Sequence, residues 1–242
     1  MLFERRAYTL KPGCTDAFWD LQRQWNKPAS WRPMLERNIG YFSTAAGPAE
    51  CIVHLYRWDD YEDGRRRIAA ISTPDRAEYF AAARALMLGQ ETCYLDRAPI
   101  PALTPLWNPE RDWLPVSPAF GAAGATSTFA VVETVLDFAP GGVPAFWEAC
   151  KKLDPTTAEL MHTGLIGAFF VTTGVLHRVL LYRWHRSFAD AENDQRKLAG
   201  DLGWNSFVDG YRGLITGSHN AYLRPSTVPW MRPLFEPIDW SI

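Results

Sequence analysis

The sequence predicts an α+β protein: two tandem ferredoxin-like (βαββαβ) domains whose sheets pack on each other within one chain. Three observations carry this. The tetrapeptide Leu55-Tyr56-Arg57-Trp58 is written again as Leu181-Tyr182-Arg183-Trp184. A train of further matches keeps the same order: Pro12-Gly13 with Pro140-Gly141, Phe18-Trp19 with Phe146-Trp147, Gly40 and Phe42 with Gly167 and Phe169, and Tyr94-Leu95 with Tyr222-Leu223. Their offsets stay between 126 and 128 in a chain of 242 residues, so the period is half the chain. Solenoid units run to roughly 20–50 residues, so this spacing marks a duplicated domain instead. The third observation is the alternation of strand and helix patterns inside each copy.

In copy one, Phe3 to Leu10 reads as a strand closed by the turn pair Pro12-Gly13. Thr15 is the expected cap of a helix carrying Phe18, Leu21 and Trp25 at helical spacing. Ile39 to Thr44 and Cys51 to Trp58 form a hairpin across Gly47-Pro48. Asp59-Asp60 supplies capping carboxylates for a helix through Ile71. Pro74 opens the next helix, with Tyr79, Phe80, Ala83, Leu86 and Met87 as its apolar stripe. Glu91 to Arg97 is the fourth strand, and the order is the split βαβ of ferredoxin-like domains. Copy two repeats it, with strands near Phe129–Phe138, Leu165–Thr173, Arg178–Trp184 and His219–Arg224. Ala98 to Ser127 holds six prolines and no periodicity, and is expected to cross the surface. The expected division is residues 1–107 and 128–242, each a domain with a proline-rich arm, joined by a linker at 108–127. A four-stranded sheet with helices on one face leaves its other apolar face to water, which is the physical reason for pairing two.

Composition excludes several classes of function. The net charge of −2 argues against a nucleic-acid footprint or a polybasic membrane patch. The start, MLFERRAYTL, places charges where a signal peptide needs an apolar run. The most apolar stretch, Gly164 to Leu176, is too short to span a bilayer. Cys14, Cys51, Cys93 and Cys150 show neither CxxC nor zinc spacing, which fits reduced thiols in a cytoplasmic protein and no metal site. Dinucleotide, P-loop, zinc-protease and nucleophile-elbow motifs are missing from the sequence.

The stretches FERRAYTLKPG, IGYFSTAAGPAECIVHLYRWDDYEDGRRR and QETCYLDRAPIPALTPL together resemble the NIPSNAP family. The resemblance covers essentially all of copy one, while copy two keeps the outline with departures. It implies the dimeric α/β barrel fold, in which two ferredoxin-like sheets pack face to face. Relatives on that fold include cofactor-free oxygenases, isomerases and cyclases of aromatic compounds, and haem enzymes. Analogy at the level of a fold is a weak warrant for function.

The two copies act as controls for each other. By the sequence offsets Glu4, Arg6 and Tyr8 align with Val132, Thr134 and Leu136, Tyr41 with Ala168, and His54 with Leu180. Copy one therefore carries ionisable groups where copy two carries mostly apolar or small ones. Buried polar groups are costly unless paired, so such a cluster points to a ligand pocket. The expected catalytic set is His54 as acid or base, Tyr41 or Tyr8 as hydrogen-bond donor, and Arg6 opposite a developing anion. Glu4, Tyr56, Trp58 and Glu91 are the expected substrate contacts, and Glu91 aligns with His219. The structural alternatives are a Glu4–Arg6 pair at a solvated sheet end and a satisfied core histidine at position 54. Trp19 and Trp147 read as core, and Gly64–Arg67 (GRRR) as a solvated helix face.

Two functions from different classes follow. One is a cofactor-independent oxygenase or isomerase/cyclase of a small hydrophobic, aromatic or polyketide-like molecule. The other is a non-catalytic binding or assembly module, with homo-oligomerisation left open. A haem-binding barrel is a third reading, because five histidines are present. The pocket of copy one is expected to be the larger and more polar of the two.

Overall fold

The computed structural model describes residues 1–47, 50–121 and 126–242, so Pro48 of the expected Gly47-Pro48 stop and Gly124 of the linker lie outside the described residues. The first repeat runs β1 (Leu2–Leu10), α1 (Thr15–Trp25), α2 (Pro28–Leu35), β2 (Asn38–Ala46), β3 (Cys51–Trp58), α3 (Tyr61–Ile71), α4 (Ala77–Ala85) and β4 (Met87–Arg97). A short hairpin follows, β5 (Trp107–Asn108) with β6 (Arg111–Asp112). The second repeat runs β7 (Ala130–Phe138), α5 (Gly142–Cys150), α6 (Pro155–His162), β8 (Leu165–Thr173), β9 (Arg178–His185), α7 (Phe188–Gly200), α8 (Leu202–Asp209) and β10 (Ile215–Pro225). The strand orders are β4-β1-β3-β2 and β10-β7-β9-β8, the ferredoxin-like order twice. The predicted α+β tandem is thus the fold of this chain.

Local chemistry explains most boundaries. Gly13 and Gly141, which end the Pro-Gly turns after β1 and β7, have φ of +76° and +88°, a region open to glycine and strained for other residues. Asp60 caps α3, its Oδ1 accepting from the Asp63 amide at 2.8 Å, and Pro74 opens the single 3-10 turn before α4. Two expectations need correction. Thr15 does not cap α1: the helix begins at Thr15 without a side-chain cap, and the hydroxyl donates instead to Glu50 at 2.9 Å. Leu86 and Met87 do not extend the α4 stripe, because the helix stops at Ala85 and β4 begins at Met87.

Two compact units emerge, and each takes up an arm from elsewhere in the sequence. The first is Met1–Tyr94 with Trp113–Ser127 and Arg224–Ile242; the second is Leu95–Asp112 with Thr128–Leu223. In the second unit the arm after β4 is core rather than surface cover. Leu103, Leu106 and Trp107 are buried, the Trp107 ring lies 6.0 Å from Phe169, and the Ala98 amide donates to Ala168 O at 2.9 Å. In the first unit the C-terminal arm buries Val228 and Met231, while the Trp230 indole N–H donates to Asn26 O at 2.7 Å. Burial of these tryptophans supplies apolar area that a single short repeat lacks.

The structure also corrects the alignment of the copies. Gly40 and Gly167 play one role: a Cβ at either would meet a phenylalanine ring two residues on, Phe42 at 2.6 Å and Phe169 at 2.7 Å. Phe42 pairs with Val53 across the β2–β3 ladder, and Phe169 pairs with Leu180 across β8–β9. The β3-to-β9 equivalence is therefore Val53 with Leu180, His54 with Leu181 and Tyr56 with Arg183, one residue away from the tetrapeptide match. A one-residue slip in a strand turns every side chain to the other face. Accordingly Ile52, Tyr56 and Trp58 join the first repeat's helix-side core, whereas Val179 and Leu181 join the second's.

Candidate functional site

The site in the first repeat is built on the helix-facing side of β1, β2 and β3. Antiparallel register places Glu4 opposite Tyr56, Arg6 opposite His54 and Tyr41 opposite His54. The alternation of β1 sends Glu4, Arg6 and Tyr8 to one face, and that face meets α2, α3 and α4. A cavity of about 210 Å³ lies there, lined by Arg6, Tyr8, Tyr41, His54 and Tyr56 from the sheet, with Trp31, Met34 and Tyr79 among the helical contributors.

Glu4 and Arg6 form a closed ion pair. Arg6 Nε donates to Glu4 Oε1 at 2.6 Å and Nη2 to Oε2 at 3.2 Å, while Trp58 Nε1 donates to the same carboxylate at 2.7 Å. The guanidinium lies 5.4 Å from the Tyr56 ring centroid. Burial works against the Arg6 charge, but Glu4 outweighs it and holds the group above the ordinary arginine value. Glu4 thus serves its neighbours rather than an open ligand space.

His54 is different. Its ring is stacked on Tyr41 at 3.7 Å and meets the Tyr8 ring edge-on at 4.6 Å. Both ring nitrogens are buried, and neither has a hydrogen-bond partner among the described residues. Burial, aided by the nearby Arg6 charge, pushes its pKa well below the usual histidine value, so the imidazole is neutral at neutral pH. Tyr41 and Tyr56 are hydrogen-bonded to each other through their hydroxyls. Burial raises both phenols, and Tyr8 with them, so all three are protonated. Tyr79, pushed up to about 12 by burial, is held by Gln22.

Seven of the eight expected site residues share this face: six form the cavity wall or its Glu4 support, and Trp58 stacks on Tyr56 at 4.9 Å. Glu91 stands apart, exposed on β4, as does His219 on β10. GRRR is a helix face satisfied locally, with Arg65 on Glu62 and both Arg66 and Arg67 on Asp63. Its Gly64 lets the Trp58 ring approach, since a Cβ there would lie 3.3 Å from it. Reading the sequence missed Trp31 and Met34, because their short helix opens on Pro28 and carries Pro33 inside it, so it reads as a loop.

The second repeat has a cavity at the corresponding place, of about 280 Å³. The expectation that the first repeat holds the larger pocket is therefore wrong. Arg6, Tyr41 and His54 on β1–β3 fill space that the smaller Thr134, Ala168 and Leu181 leave open in the second repeat. Among the described residues no group of three His, Cys, Asp or Glu is placed to hold a metal ion. No helix among the described residues is long and apolar enough to cross a membrane.

Several solved structures share the fold along nearly the whole chain. A candidate monooxygenase of Fusobacterium nucleatum is 12% identical, with a TM-score of 0.61 over 93% of this chain and 92% of its own. A second candidate monooxygenase, of Lactobacillus acidophilus, is 10% identical, with a TM-score of 0.58 over 93% and 94%. An anthrone oxidase-like protein is 16% identical, with a TM-score of 0.57 over 93% and 90%. No curated protein matches the sequence. The NIPSNAP family model matches residues 3–100 and again 132–229, one match per repeat, and the chain belongs to the NIPSNAP family.

Proposed function

We propose that the first repeat binds a small aromatic molecule with an acidic C–H or O–H and that His54 accepts its proton. One observation carries the reading: a neutral, buried imidazole lines a cavity with both nitrogens unsatisfied. An isolated core histidine would leave that desolvation cost uncompensated, on the order of 1–3 kcal/mol. A ligand donor at one nitrogen offsets it. Neutral imidazole is the state a general base requires, and bound anion beside it would raise its proton affinity.

The reaction class we favour is cofactor-independent oxygenation, in line with the names of the structural neighbours. Removal of a proton from an activated CH₂ leaves a carbanion that reacts with molecular oxygen. One oxygen atom becomes the new carbonyl and the other leaves as water, so CH₂ and O₂ give C=O and H₂O. The test is oxygen uptake and quinone formation from anthrone in air, compared between the parent protein and His54→Leu. Turnover lost with His54→Leu while the fold persists supports the reading. Equal turnover, or none above the uncatalysed rate in the parent, overturns it. A second reading, binding without turnover, is favoured by the closed Glu4–Arg6 pair, which leaves no uncompensated cation for a developing anion. Under that reading the parent binds anthrone, His54→Leu binds it more weakly, and oxygen is not consumed.

A further inference from the structure

The second repeat contains the uncompensated cation that the first one lacks. Arg183 projects from β9 into the cavity of about 280 Å³, whose walls include Leu136, Phe146, Leu181, Phe207 and Tyr211. The equivalence derived above matches Arg183 with Tyr56. Opposite Tyr56 on the neighbouring strand stands Glu4, but opposite Arg183 stands Val132. The position from which a carboxylate serves the first repeat is therefore filled by an aliphatic side chain in the second.

The carboxylate whose field acts on Arg183 is Asp194, and its oxygens are engaged elsewhere. Oδ2 lies 3.1 Å from His185 Nδ1, and Oδ1 accepts from Lys197 Nζ at 3.0 Å. No hydrogen bond or ion pair joins Arg183 to any described residue. Arg183 is half-buried, and that burial lowers its pKa below the ordinary arginine value, with Asp194 offsetting it only in part. A guanidinium nonetheless keeps its charge in a protein and presents a planar fork matched to a carboxylate. Thr134 Oγ1 donates to Asn220 Oδ1 at 2.7 Å on the same wall, which fixes the polar edge beside it.

We infer that the second repeat is a binding site for a small aromatic carboxylate, its ring system among Phe146, Phe207 and Tyr211 and its carboxylate on Arg183. The cavity lies near the lower end of the usual range for ligand sites, which suits one or two fused rings. This site is separate from the His54 cavity and stands whether or not the first repeat turns anything over.

The experiment is calorimetric titration with 2-naphthoate and with 2-acetonaphthone, a neutral molecule of similar shape. The parent protein is expected to prefer the carboxylate at least tenfold. Arg183→Met is expected to abolish that preference while still binding the ketone, and Arg183→Lys to keep part of it. Arg23→Met, which removes a half-buried arginine of the first repeat held by Asp20 and lining neither cavity, is expected to leave both affinities unchanged. The inference is overturned if the parent binds neither probe or shows no preference. It is equally overturned if the preference survives in a folded Arg183→Met protein or is lost in Arg23→Met. Should Arg183→Met fail to fold, the Arg183→Lys titration decides: a preference unchanged from the parent, or lost together with ketone binding, counts against the site.

Discussion

His54→Leu separates a functional imidazole from a structural one through the pH dependence of stability. Leucine keeps the apolar contact with Tyr8 and Tyr41 and removes two buried nitrogens that have no hydrogen-bond partner among the described residues. Loss of the Tyr41 stack costs about 0.5–1.5 kcal/mol, and relief of the unsatisfied nitrogens returns about 1–3 kcal/mol. At pH 7.5 the variant is therefore expected to range from about 0.5 kcal/mol less stable to about 2.5 kcal/mol more stable. The direction of its pH dependence follows from the depressed pKa of His54 in the folded chain. Below the unfolded value of about 6.5 the unfolded chain binds a proton that the folded chain refuses, so stability falls as pH falls. For a His54 still neutral at pH 5.5, the loss between pH 7.5 and 5.5 is about 1.4 kcal/mol. His162 and His185, also lowered by burial, contribute in the same direction in both proteins and cancel in the difference. Urea unfolding at pH 5.5, 6.5 and 7.5 measures it. A variant that loses more than about 2 kcal/mol at pH 7.5, or keeps the parent's full pH dependence, would refute the argument.

Three further outcomes are expected. Glu4→Gln leaves Arg6 without its charged partner and should cost about 3–5 kcal/mol in denaturant unfolding; a loss under about 1 kcal/mol would mean the pair is solvated. Gly40→Ala drives a methyl group into the Phe42 ring and should cost about 1–3 kcal/mol, with Gly167→Ala behaving alike in thermal melts; unequal losses would break the equivalence of the two positions. Tyr182→Phe removes the hydroxyl that donates to the buried Glu133 carboxylate at 2.5 Å, and about 1.5–3 kcal/mol of stability is expected to go with it. Tyr56→Phe removes only the bond to Tyr41 and should cost about 1 kcal/mol, so equal losses for the two tyrosines would contradict their different surroundings.

Much of the architecture was legible because it rests on local rules. Pro-Gly turns, helix caps and strand alternation each act over a few residues, and they reappear in both repeats, with Asp60 capping α3 and Ser187 capping α7. The cluster around His54 was legible for a related reason. Residues two apart on a strand share a face, so Glu4, Arg6 and Tyr8 could be grouped before any coordinates, as could His54 and Tyr56. What sequence could not supply was the helical roof. Trp31 and Met34 reach the cavity from a short helix that opens on Pro28 and carries Pro33 inside it. The Glu4–Arg6 pair could be named beforehand as an alternative, since the two stand two residues apart on β1; that Val132 and not a carboxylate stands opposite Arg183 depends on the β7–β9 register and could not.

The repeated tetrapeptide that exposes the duplication also misleads about it. Leu-Tyr-Arg-Trp occurs in both repeats, and matching it letter for letter pairs Tyr56 with Tyr182 and Arg57 with Arg183. Strand register instead pairs Tyr56 with Arg183. In the first repeat the tyrosine faces the helices, beside His54, and bonds Tyr41. In the second it faces the other side of its sheet, where it bonds Glu133 and packs 6.2 Å from Phe169. The arginines exchange places correspondingly: Arg57 pairs with Asp59 at the end of its strand, while Arg183 enters a cavity. A shift of one residue between copies is thus enough to turn a tyrosine-lined pocket into an arginine-lined one with no change in the tetrapeptide. That is the physical route by which one duplicated domain comes to hold two chemically distinct cavities, one lined by a neutral imidazole and the other by a guanidinium.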